Sequence, residues 1–422
     1  MNINTFRAFR SRNYRFFFFG QSISLIGTWM QRTAVYWLTY VQTHSAFMLG
    51  LAVFALQFPT FLFSPLGGVI SDRYNRYRVL LTTQVVSLIQ ATLLMALVMF
   101  AQYTIVEIFA LSVLLGIINA FDSPARQSMV NELIDNKEDL PNAIALNSSM
   151  ANLARMIGPA ISGIVLEKFG AGTCFLINAL SFMAVIVSLL FMSFPKFIQQ
   201  PHTQKVFREF KEGWKYLKVT PSIGFVILFI ACVNLLVIPF ITLLPVFAKD
   251  VFKGDASIFG YLNSAIGLGA VGGAFFLASL KAGVNFKRVL FTNLLIFGGA
   301  LVLFSHITNL PIALFFAVLA GFGMMSQNTI GNTIVQTNAS AEMRGRVLSY
   351  LLMAIAGMQP LGALLIGTVS QYIGAPNTII AEGIAAVVIA VSFLPFLRKD
   401  ILKEKDKIKL IELGDTTVST NQ

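Results

Sequence analysis

The 422-residue sequence is poor in charge and in the residues that carry most enzyme chemistry. Only 12% of its residues are charged, and it has two cysteines and three histidines. Cys174 and Cys232 fall inside apolar runs, which is typical of packing residues rather than of a disulfide or metal pair. The histidines lie in loops or at the ends of such runs, and no P-loop pattern is present. We therefore expect neither an enzyme nor a bound metal or cofactor.

Apolar residues are abundant instead. The sequence is 56% hydrophobic, contains 39 phenylalanines and has a mean hydropathy of +0.74, which is too apolar for a soluble domain of this length. Runs of about 20 apolar residues predict membrane-spanning helices. Twelve spans are predicted, at residues 14–40, 46–71, 77–101, 104–130, 141–168, 172–194, 221–247, 256–281, 287–307, 310–335, 345–370 and 374–397.

The net charge of +12 arises from basic residues on one side of these spans. With a cytoplasmic N-terminus, Lys168, Lys249 and Lys253 fall outside and Arg32 and Arg155 fall within the membrane, so 26 of the 31 Lys and Arg residues are cytoplasmic. This is the positive-inside pattern, and it predicts that both termini are cytoplasmic. The basic surplus therefore indicates topology, and we expect no nucleic-acid partner.

Two stretches of the sequence repeat. Residues 142–172 and 346–376 align without gaps, and "RVLLTTQ" at residue 78 recurs as "RVLFTNL" at residue 288. The alignment superposes Gly158 on Gly362, Gly163 on Gly367 and Gly170 on Gly374. Duplicated six-helix halves are the layout of secondary transporters, whose substrate site lies between the halves. We predict an all-α membrane protein with two pseudo-symmetric six-helix bundles, at residues 1–194 and 221–397, and a cytoplasmic tail at residues 398–422.

The two bundles are joined by a charged linker at residues 195–220. Phe207, Phe210, Trp214 and Leu217 recur at helical spacing, with lysines and an arginine around the rest of the turn. This pattern predicts a basic amphipathic helix on the cytoplasmic membrane surface. A solvated linker helix that only joins the halves fits the pattern equally well.

The stretch "GGVISDRYNRYR" at residues 67–78 follows the second span and concentrates charge. It resembles the loop signature of the major facilitator superfamily, with Gly68, Asp72, Arg73 and Arg76 in register. Asn75 stands where the family usually has glycine, and asparagine tolerates positive φ better than most residues. The resemblance implies a latch, in which Asp72 caps the eleventh span and Arg73 or Arg76 pairs with Asp122. The alternative is that these charges only enforce topology.

Three further stretches resemble the bacterial branch of this superfamily that contains the enterobactin exporter and the macrolide-type drug exporters. They are "GTWMQRTAVYWLTY" at 27–40, "FDSPARQSMVNEL" at 121–133 and "GPAISG" at 158–163. The last is similar to a helix 5 element of proton antiporters, with Ser162 in place of one glycine. Pro159 bends the helix, while Gly158 and Gly163 allow close packing. The resemblance implies export and a bacterial inner-membrane location; simple helix packing is the alternative.

Polar residues recur along the spans. A lipid-facing arginine would cost about 2.5–3.5 kcal/mol, so Arg32 and Arg155 should face the interior or a water-filled cavity. Each could be neutralised by a partner such as Asp122, but two together favour an anion site. The candidate substrate-binding residues, each of which could instead tie two helices together, are Gln21, Ser24, Thr28, Gln31, Arg32, Ser148, Asn152, Arg155, Asn234, Asn263, Gln327, Asn328 and Gln359.

Carboxylates are scarce within the spans. Of the 19 acidic residues, those in or near spans lie towards span ends, and Asp122 and then Glu382 are the candidates for proton coupling. No cofactor is expected, because the proton-motive force or the membrane potential can drive transport. One elementary charge moving along the potential releases about 2.3 kcal/mol per 100 mV, enough for a roughly 50-fold gradient.

The sequence therefore predicts an inner-membrane exporter of an amphipathic, anionic small molecule, such as a siderophore, that works by alternating access as a monomer among membrane lipids. A broad drug/proton antiporter, whose second partner is protons, is the first alternative. An importer or lysolipid flippase of the same fold is the second. A non-transporting scaffold would need neither the interior arginines nor the latch.

Overall fold

The computed structural model describes residues 3–192, 206–281, 283–340 and 342–395, and within these ranges the chain forms helices and no strand. The predicted tail and the first part of the linker lie outside the described residues. A short 3₁₀ helix, Ile3–Arg10, precedes the first long helix. The helices of the first half are α1 (Arg12–Thr43), α2 (Ala46–Arg73), α3 (Arg76–Phe100), α4 (Ile105–Leu133) and α5 (Leu140–Leu190).

The second half begins with the linker helix and repeats this pattern. A 3₁₀ turn (Ile238–Leu243) and a π-helical turn (Phe247–Val251) flank its shortest helix. Its helices are α6 (Val206–Val219), α7 (Pro221–Leu236), α8 (Leu244–Val246), α9 (Ala256–Ala278), α10 (Phe286–Phe304), α11 (Leu310–Asn338), α12 (Arg344–Ala356), α13 (Met358–Ile373) and α14 (Ala375–Pro395).

Ten helical stretches in the described part of the chain are long and apolar enough to cross a membrane. One of them contains α5, whose 51 residues bend at Gly170 and therefore cross twice. The α1 helix is not among the ten because its polar residues lower its hydropathy, yet its 32 residues span about 48 Å. The chain thus crosses twelve times, and the predicted fold class is confirmed.

The duplication seen in the sequence is also a structural repeat. Gly170 and Gly374 both have φ of +80°, a conformation that favours glycine, and each stands between two membrane-crossing helices. Asn75 and Asn285 begin the corresponding helices α3 and α10, and the side chain of each accepts from backbone N–H groups of the first turn. The expectation of positive φ at Asn75 is wrong, since its φ is −60° and it acts as an N-cap.

The bundle has two ends, which we name by their composition. The basic face is the end at which α2 and α4 finish, at Arg73 and Leu133, and the opposite face is the end at which α1 and α3 finish, at Thr43 and Phe100. Charged residues at the start of α1, around the α2–α3 loop and on α6 give the basic face its name.

The two halves meet along two glycine seams, which lie near the opposite face. On one seam, a Cβ placed on Gly163 of α5 would lie 2.8 Å from the carbonyl oxygen of Ala256 and 3.0 Å from Cα of Gly260, both on α9. On the other, a Cβ on Gly367 of α13 would lie 2.6 Å from the carbonyl oxygen of Ala46 on α2. Gly163 and Gly367 each precede the positive-φ glycine by seven residues, so both seams lie about 10 Å from the opposite face.

Side-chain contacts close the opposite face. The hydroxyl of Tyr40 on α1 donates to Asp250, and Ser45 donates to Gln371 at 3.1 Å. Trp37 stacks on Phe259 across the seam, with ring centroids 6.1 Å apart. These contacts join the first half to the second at the ends of α1, α2, α9 and α13.

Towards the basic face the facing helices carry exposed polar side chains instead of contacts. Ser148 and Ser149 on α5 and Asn332 and Gln336 on α11 are all exposed. Because the halves touch near the opposite face and these side chains are exposed nearer the basic face, we infer a central cavity that is closed at the opposite face and opens to the basic face.

The linker helix α6 packs on the second half. Glu212 forms an ion pair with Arg346 at 2.6 Å, and the Trp214 ring lies 6.1 Å from that of Tyr350. The backbone N–H of Ser340 donates to the phenolic oxygen of Tyr216 at 3.2 Å, which lowers the pKa of this phenol below its ordinary value. The helix is thus anchored to α12 by specific contacts, while half of the Trp214 surface remains exposed.

Candidate functional site

Two arginines share one aromatic ring at the centre of the first half. The guanidinium carbon of Arg32 lies 5.1 Å from the ring centroid of Trp29, and that of Arg155 lies 5.4 Å from the same ring. Arg32 follows Trp29 by three residues on α1, so both side chains project from one helix face. Arg155 reaches the ring from α5.

Gly158 makes this arrangement possible. A Cβ at Gly158 would lie only 2.5 Å from Cβ of Trp29 and 3.1 Å from the carbonyl oxygen of Ile26, so α5 packs closely against α1 here because residue 158 has no side chain. Pro159 is buried beside it, and Gly163 lies one turn further on at the seam with α9. The predicted helix 5 motif therefore has two structural roles: it positions the Trp29 ring, and it joins the halves.

The charges of Arg32 and Arg155 are not balanced locally. Among the described residues no carboxylate forms an ion pair with either, and the Nε of Arg32 is buried with no hydrogen-bond partner. Two guanidinium groups over one ring also repel each other. The cation–π contacts offset part of this cost, at about 0.5–2 kcal/mol each. Arg155 is exposed to the cavity, so the pair presents uncompensated positive charge where a ligand can reach it.

The carboxylate of Asp122 forms hydrogen bonds and an ion pair with residues other than these two arginines. One carboxylate oxygen accepts from Thr83 at 2.9 Å and from Gln84 at 2.7 Å, and the other lies 3.4 Å from Nε of Arg126. Asp122 therefore neutralises neither Arg32 nor Arg155. The predicted pairing of Asp122 with Arg73 or Arg76 is likewise replaced by Arg126 in this conformation.

Arg126 is a candidate functional residue that the sequence did not single out. It pairs with Asp122 and its guanidinium donates to Gln21 at 3.4 Å, which connects α4 to α1. The signal was present, because Asp122 and Arg126 stand at i and i+4 within one predicted span, the spacing at which helix side chains meet. Arg126 lies inside the predicted fourth span although it was counted above with the cytoplasmic residues, so the first half carries three arginines within its spans, Arg32, Arg126 and Arg155, with the buried Asp122 beside Arg126.

The other predicted residues of the first half divide into two groups. Gln31 is buried and lies in a side-chain network, in which Asn178 donates to it at 2.7 Å and it donates to Gln90 at 3.1 Å. Ser24 is buried as well, and the hydroxyl of Thr28 donates to its backbone carbonyl. Ser148 is exposed and Asn152 is half-buried, on the same helix as Arg155. The α5 residues therefore line the open cavity, while Gln31 ties α1 to α3 and α5.

The predicted polar residues of the second half are buried or half-buried, and two of them, Asn234 and Asn328, are joined by a hydrogen bond. Asn234 on α7 donates to Asn328 on α11 at 3.1 Å, and its own side-chain oxygen has no partner. Gln327 donates to the carbonyl of Leu290 at 3.3 Å, and its Oε1 has no partner. Asn263 donates to the carbonyl of Phe259 within its own helix. Gln359 on α13 is half-buried. The second half therefore contributes neutral amides rather than charge.

The predicted latch residues lie together at the basic face. Arg76 forms an ion pair with Glu132 on α4 at 2.6 Å and lies 3.8 Å from Asp72. Arg73 is exposed, and Gly68 has open space around its Cα. The ion pairs of Arg76 join residues of the first half. The second proton-coupling candidate, Glu382 on α14, is fully buried, and neither of its carboxylate oxygens has a hydrogen-bond partner among the described residues.

Two repeated six-helix halves that meet at glycine seams, with two arginines that have no ion-pair partner among the described residues, are the architecture of a secondary membrane transporter. Solved structures share this fold. The nucleoside transporter NupG matches with a TM-score of 0.71 at 14% identity, covering 91% of this chain and 99% of that one. A bacterial homologue of the human lysosomal transporter Spinster, solved in an inward-facing, unoccupied conformation, also matches with a TM-score of 0.71 at 14% identity, covering 90% and 96%.

Sequence comparison gives the family. A family model described as "Transmembrane secretion effector" matches residues 3–419, and the chain belongs to this family of major facilitator transporters. The chain is 28% identical over 394 residues to the staphyloferrin A transporter of Staphylococcus aureus, covering 92% of this chain and 97% of the relative. It is 26% identical to a putative bacilysin exporter of Bacillus subtilis and 23% identical to the multidrug efflux pump Tap of Mycolicibacterium fortuitum, covering 86% and 87% of this chain and 90% and 92% of these relatives. The predicted resemblance is confirmed, and the protein is a membrane transporter rather than an enzyme.

Proposed function

We propose that this transporter exports an amphipathic, anionic small molecule of the siderophore type across the bacterial inner membrane. The observation that carries this proposal is the pair Arg32 and Arg155 over the Trp29 ring, without a carboxylate partner among the described residues. A buried donor without an acceptor costs about 1–3 kcal/mol, and more for a charged group. A carboxylate or catecholate ligand would supply the missing acceptors, and its apolar part would contact the ring.

The orientation follows from charge. The basic face belongs in the cytoplasm by the positive-inside rule, which also makes both termini cytoplasmic. The cavity of this conformation then opens to the cytoplasm, from which an exported substrate enters. The family description and the printed names of the bacilysin exporter and the efflux pump support export as the direction. The staphyloferrin A transporter supports a siderophore-like anion as the cargo.

The membrane potential can drive the export of an anionic substrate. An anion that leaves a negative cytoplasm moves along the membrane potential and gains about 2.3 kcal/mol per charge per 100 mV, so it needs no cofactor and no tightly coupled ion. The binding set then comprises the two arginines, Trp29 and the exposed polar face of α5. The amides of the second half, Asn328 among them, complete it when the halves close.

A drug/proton antiporter is the second candidate, and Asp122 is the observation that favours it. Its buried carboxylate pairs with Arg126 beside the cavity. Protonation of Asp122 would release Arg126, so proton uptake could change the charge that the cavity presents. Glu382 is a less direct candidate for the proton, because it is buried on α14 away from these arginines.

Ligand binding at Trp29 tests the proposal. Replacing Trp37 and Trp214 by phenylalanine leaves Trp29 as the single tryptophan, whose fluorescence reports on the site. Titration with staphyloferrin A as the anionic probe and ethidium as the cationic probe should give anion binding that Arg32→Gln and Arg155→Gln each weaken about 10- to 150-fold, the value of one hydrogen bond to a charged group.

The matched control is Arg288→Gln, which removes one exposed positive charge outside the cavity and should leave anion binding within twofold. Ethidium binding should change little in all three variants. Equal losses for both probes in the Arg32 and Arg155 variants would make these arginines structural, and dye binding without anion binding would favour the antiporter.

A further inference from the structure

A second cavity lies on the first half, away from the central one. It is a groove of about 640 Å³ between α2 and α3, with α4 as its floor. Both walls pack on α4: Gly67 of α2 lies against the backbone of Ala120, and Gln90 of α3 donates to the carbonyl of Leu111. The described residues that line the groove all come from α2, α3, α4 and the loop between α2 and α3. The groove therefore faces the surrounding membrane rather than the transport pathway.

The mouth of this groove is positively charged. Arg73 at the end of α2 and Arg78 in the first turn of α3 both line it, and both are exposed. Neither forms an ion pair with a carboxylate of the described residues. Arg76, the third arginine of this loop, points elsewhere and pairs with Glu132. Each guanidinium group has the planar set of donors with which arginine binds phosphate, and both lie at the same membrane face.

The deeper part of the groove is apolar. Val79 and Val86 line it from α3, and Leu114, Ile117 and Phe121 line it from α4. Val86 follows Arg78 by eight residues, so the apolar wall reaches about 12 Å below the charged mouth. Basic groups at headgroup level above an apolar channel are the complement of an anionic phospholipid.

We propose that this groove binds one anionic phospholipid from the leaflet at the basic face, with its phosphate on Arg73 and Arg78 and part of an acyl chain along α3 and α4. The groove also touches the hydrogen-bond network of the first half, because Thr83 lines it and donates to Asp122. This lipid site is separate from the anion site at Trp29, so a result that overturns one of the two proposals leaves the other standing.

Native mass spectrometry of the purified transporter with added phosphatidylglycerol or phosphatidylcholine tests the proposal. We expect one tightly held phosphatidylglycerol that the double variant Arg73→Gln, Arg78→Gln binds about 30-fold more weakly, and a preference over phosphatidylcholine that this variant loses. Arg288→Gln is the matched control: Arg288 has the position of Arg78 in the repeat, the same cap by an asparagine and similar exposure, but does not line this groove. It should bind the lipid as the wild type does.

A third variant separates the groove from general surface charge. Thr82→Trp fills the groove without changing charge, and it should weaken phosphatidylglycerol binding by at least tenfold. Unchanged binding in this variant, equal loss in Arg288→Gln, or retention in the double variant would each overturn the proposal. So would competition by inorganic phosphate alone, which would make the arginines a site for soluble anions.

A measurement on the wild-type protein does not depend on how the variants fold. Phosphatidylglycerol with a photoreactive acyl chain should crosslink to residues 79–86 of α3 and 114–121 of α4, as read by peptide mass spectrometry. Crosslinks spread evenly over the lipid-facing helices would contradict a specific groove.

Discussion

Replacing Gly163 by alanine should shift the transporter towards the conformation that is open at the opposite face. The added Cβ would lie 2.8 Å from the carbonyl oxygen of Ala256 and 3.0 Å from Cα of Gly260, and both contacts are with backbone that cannot rotate away. These contacts exist only while α5 and α9 pack together. The substitution therefore raises the free energy of the conformation in which this seam is closed and not that of the conformation in which it is open. Overpacking of this kind costs about 1–3 kcal/mol, which corresponds to a population shift of about 5- to 150-fold.

Distances between spin labels at the basic face measure this shift. Cysteines introduced at Asn136 and Ser279, which are exposed in the first and second half, report on the gap after the native cysteines have been replaced. In the wild type the long distance of the open basic face should dominate. Gly163→Ala should populate a shorter distance, as the basic face closes while the opposite face opens.

Gly158→Ala is the control from the same motif. Its Cβ would be even closer to a neighbour, 2.5 Å from Cβ of Trp29, but both residues belong to the first half. It should lower thermal stability and disturb the ring between the arginines while leaving the distance distribution unchanged. Refutation would come from a wild-type distribution in Gly163→Ala, or from an equal shift in Gly158→Ala.

Three other variants test separate parts of the structure. Tyr40→Phe removes the hydrogen bond to the Asp250 carboxylate at the opposite face, so the same spin-label pair should show a shift in the same direction, about 1.5–3 kcal/mol; no shift would mean that this bond does not hold the face closed. Asn178→Ala leaves the buried oxygen of Gln31 without a donor and should lower the free energy of unfolding by about 1–3 kcal/mol, seen as a lower Tm, without moving those distances. Asp122→Asn removes the buried charge, so any dependence of transport on the pH gradient should be lost while transport driven by the potential persists; full retention of the pH dependence would exclude Asp122 as the coupling group.

Hydropathy and repetition were sufficient for the fold. Apolar runs predicted all twelve crossings, including α1, whose polar residues keep it below an ordinary hydropathy threshold. The alignment superposed Gly170 on Gly374, and the structure gives both the same positive φ, a conformation that glycine adopts without strain. The apolar runs therefore predict the number of crossings, and the repeat predicts which residues of the two halves correspond.

The site was less predictable, because its contacts join residues far apart in the chain. Spacing along α1 predicts which side chains share a face, but it cannot tell that Gln31 meets Asn178 on α5 while Arg32 meets Trp29 and Arg155. The position of the Trp29 ring between two arginines depends on how closely Gly158 lets α5 approach α1, which the sequence does not reveal.

The central claim is that the cavity carries an anion, and transport into inside-out vesicles tests it most directly. Uptake of staphyloferrin A and of ethidium should be compared with the membrane potential and the pH gradient imposed separately. The account predicts that the siderophore accumulates in response to the potential, by up to roughly 50-fold per charge at 100 mV, and that Arg32→Gln and Arg155→Gln abolish this accumulation. Accumulation of ethidium that needs the pH gradient, without siderophore uptake, would contradict it and make the protein a drug/proton antiporter.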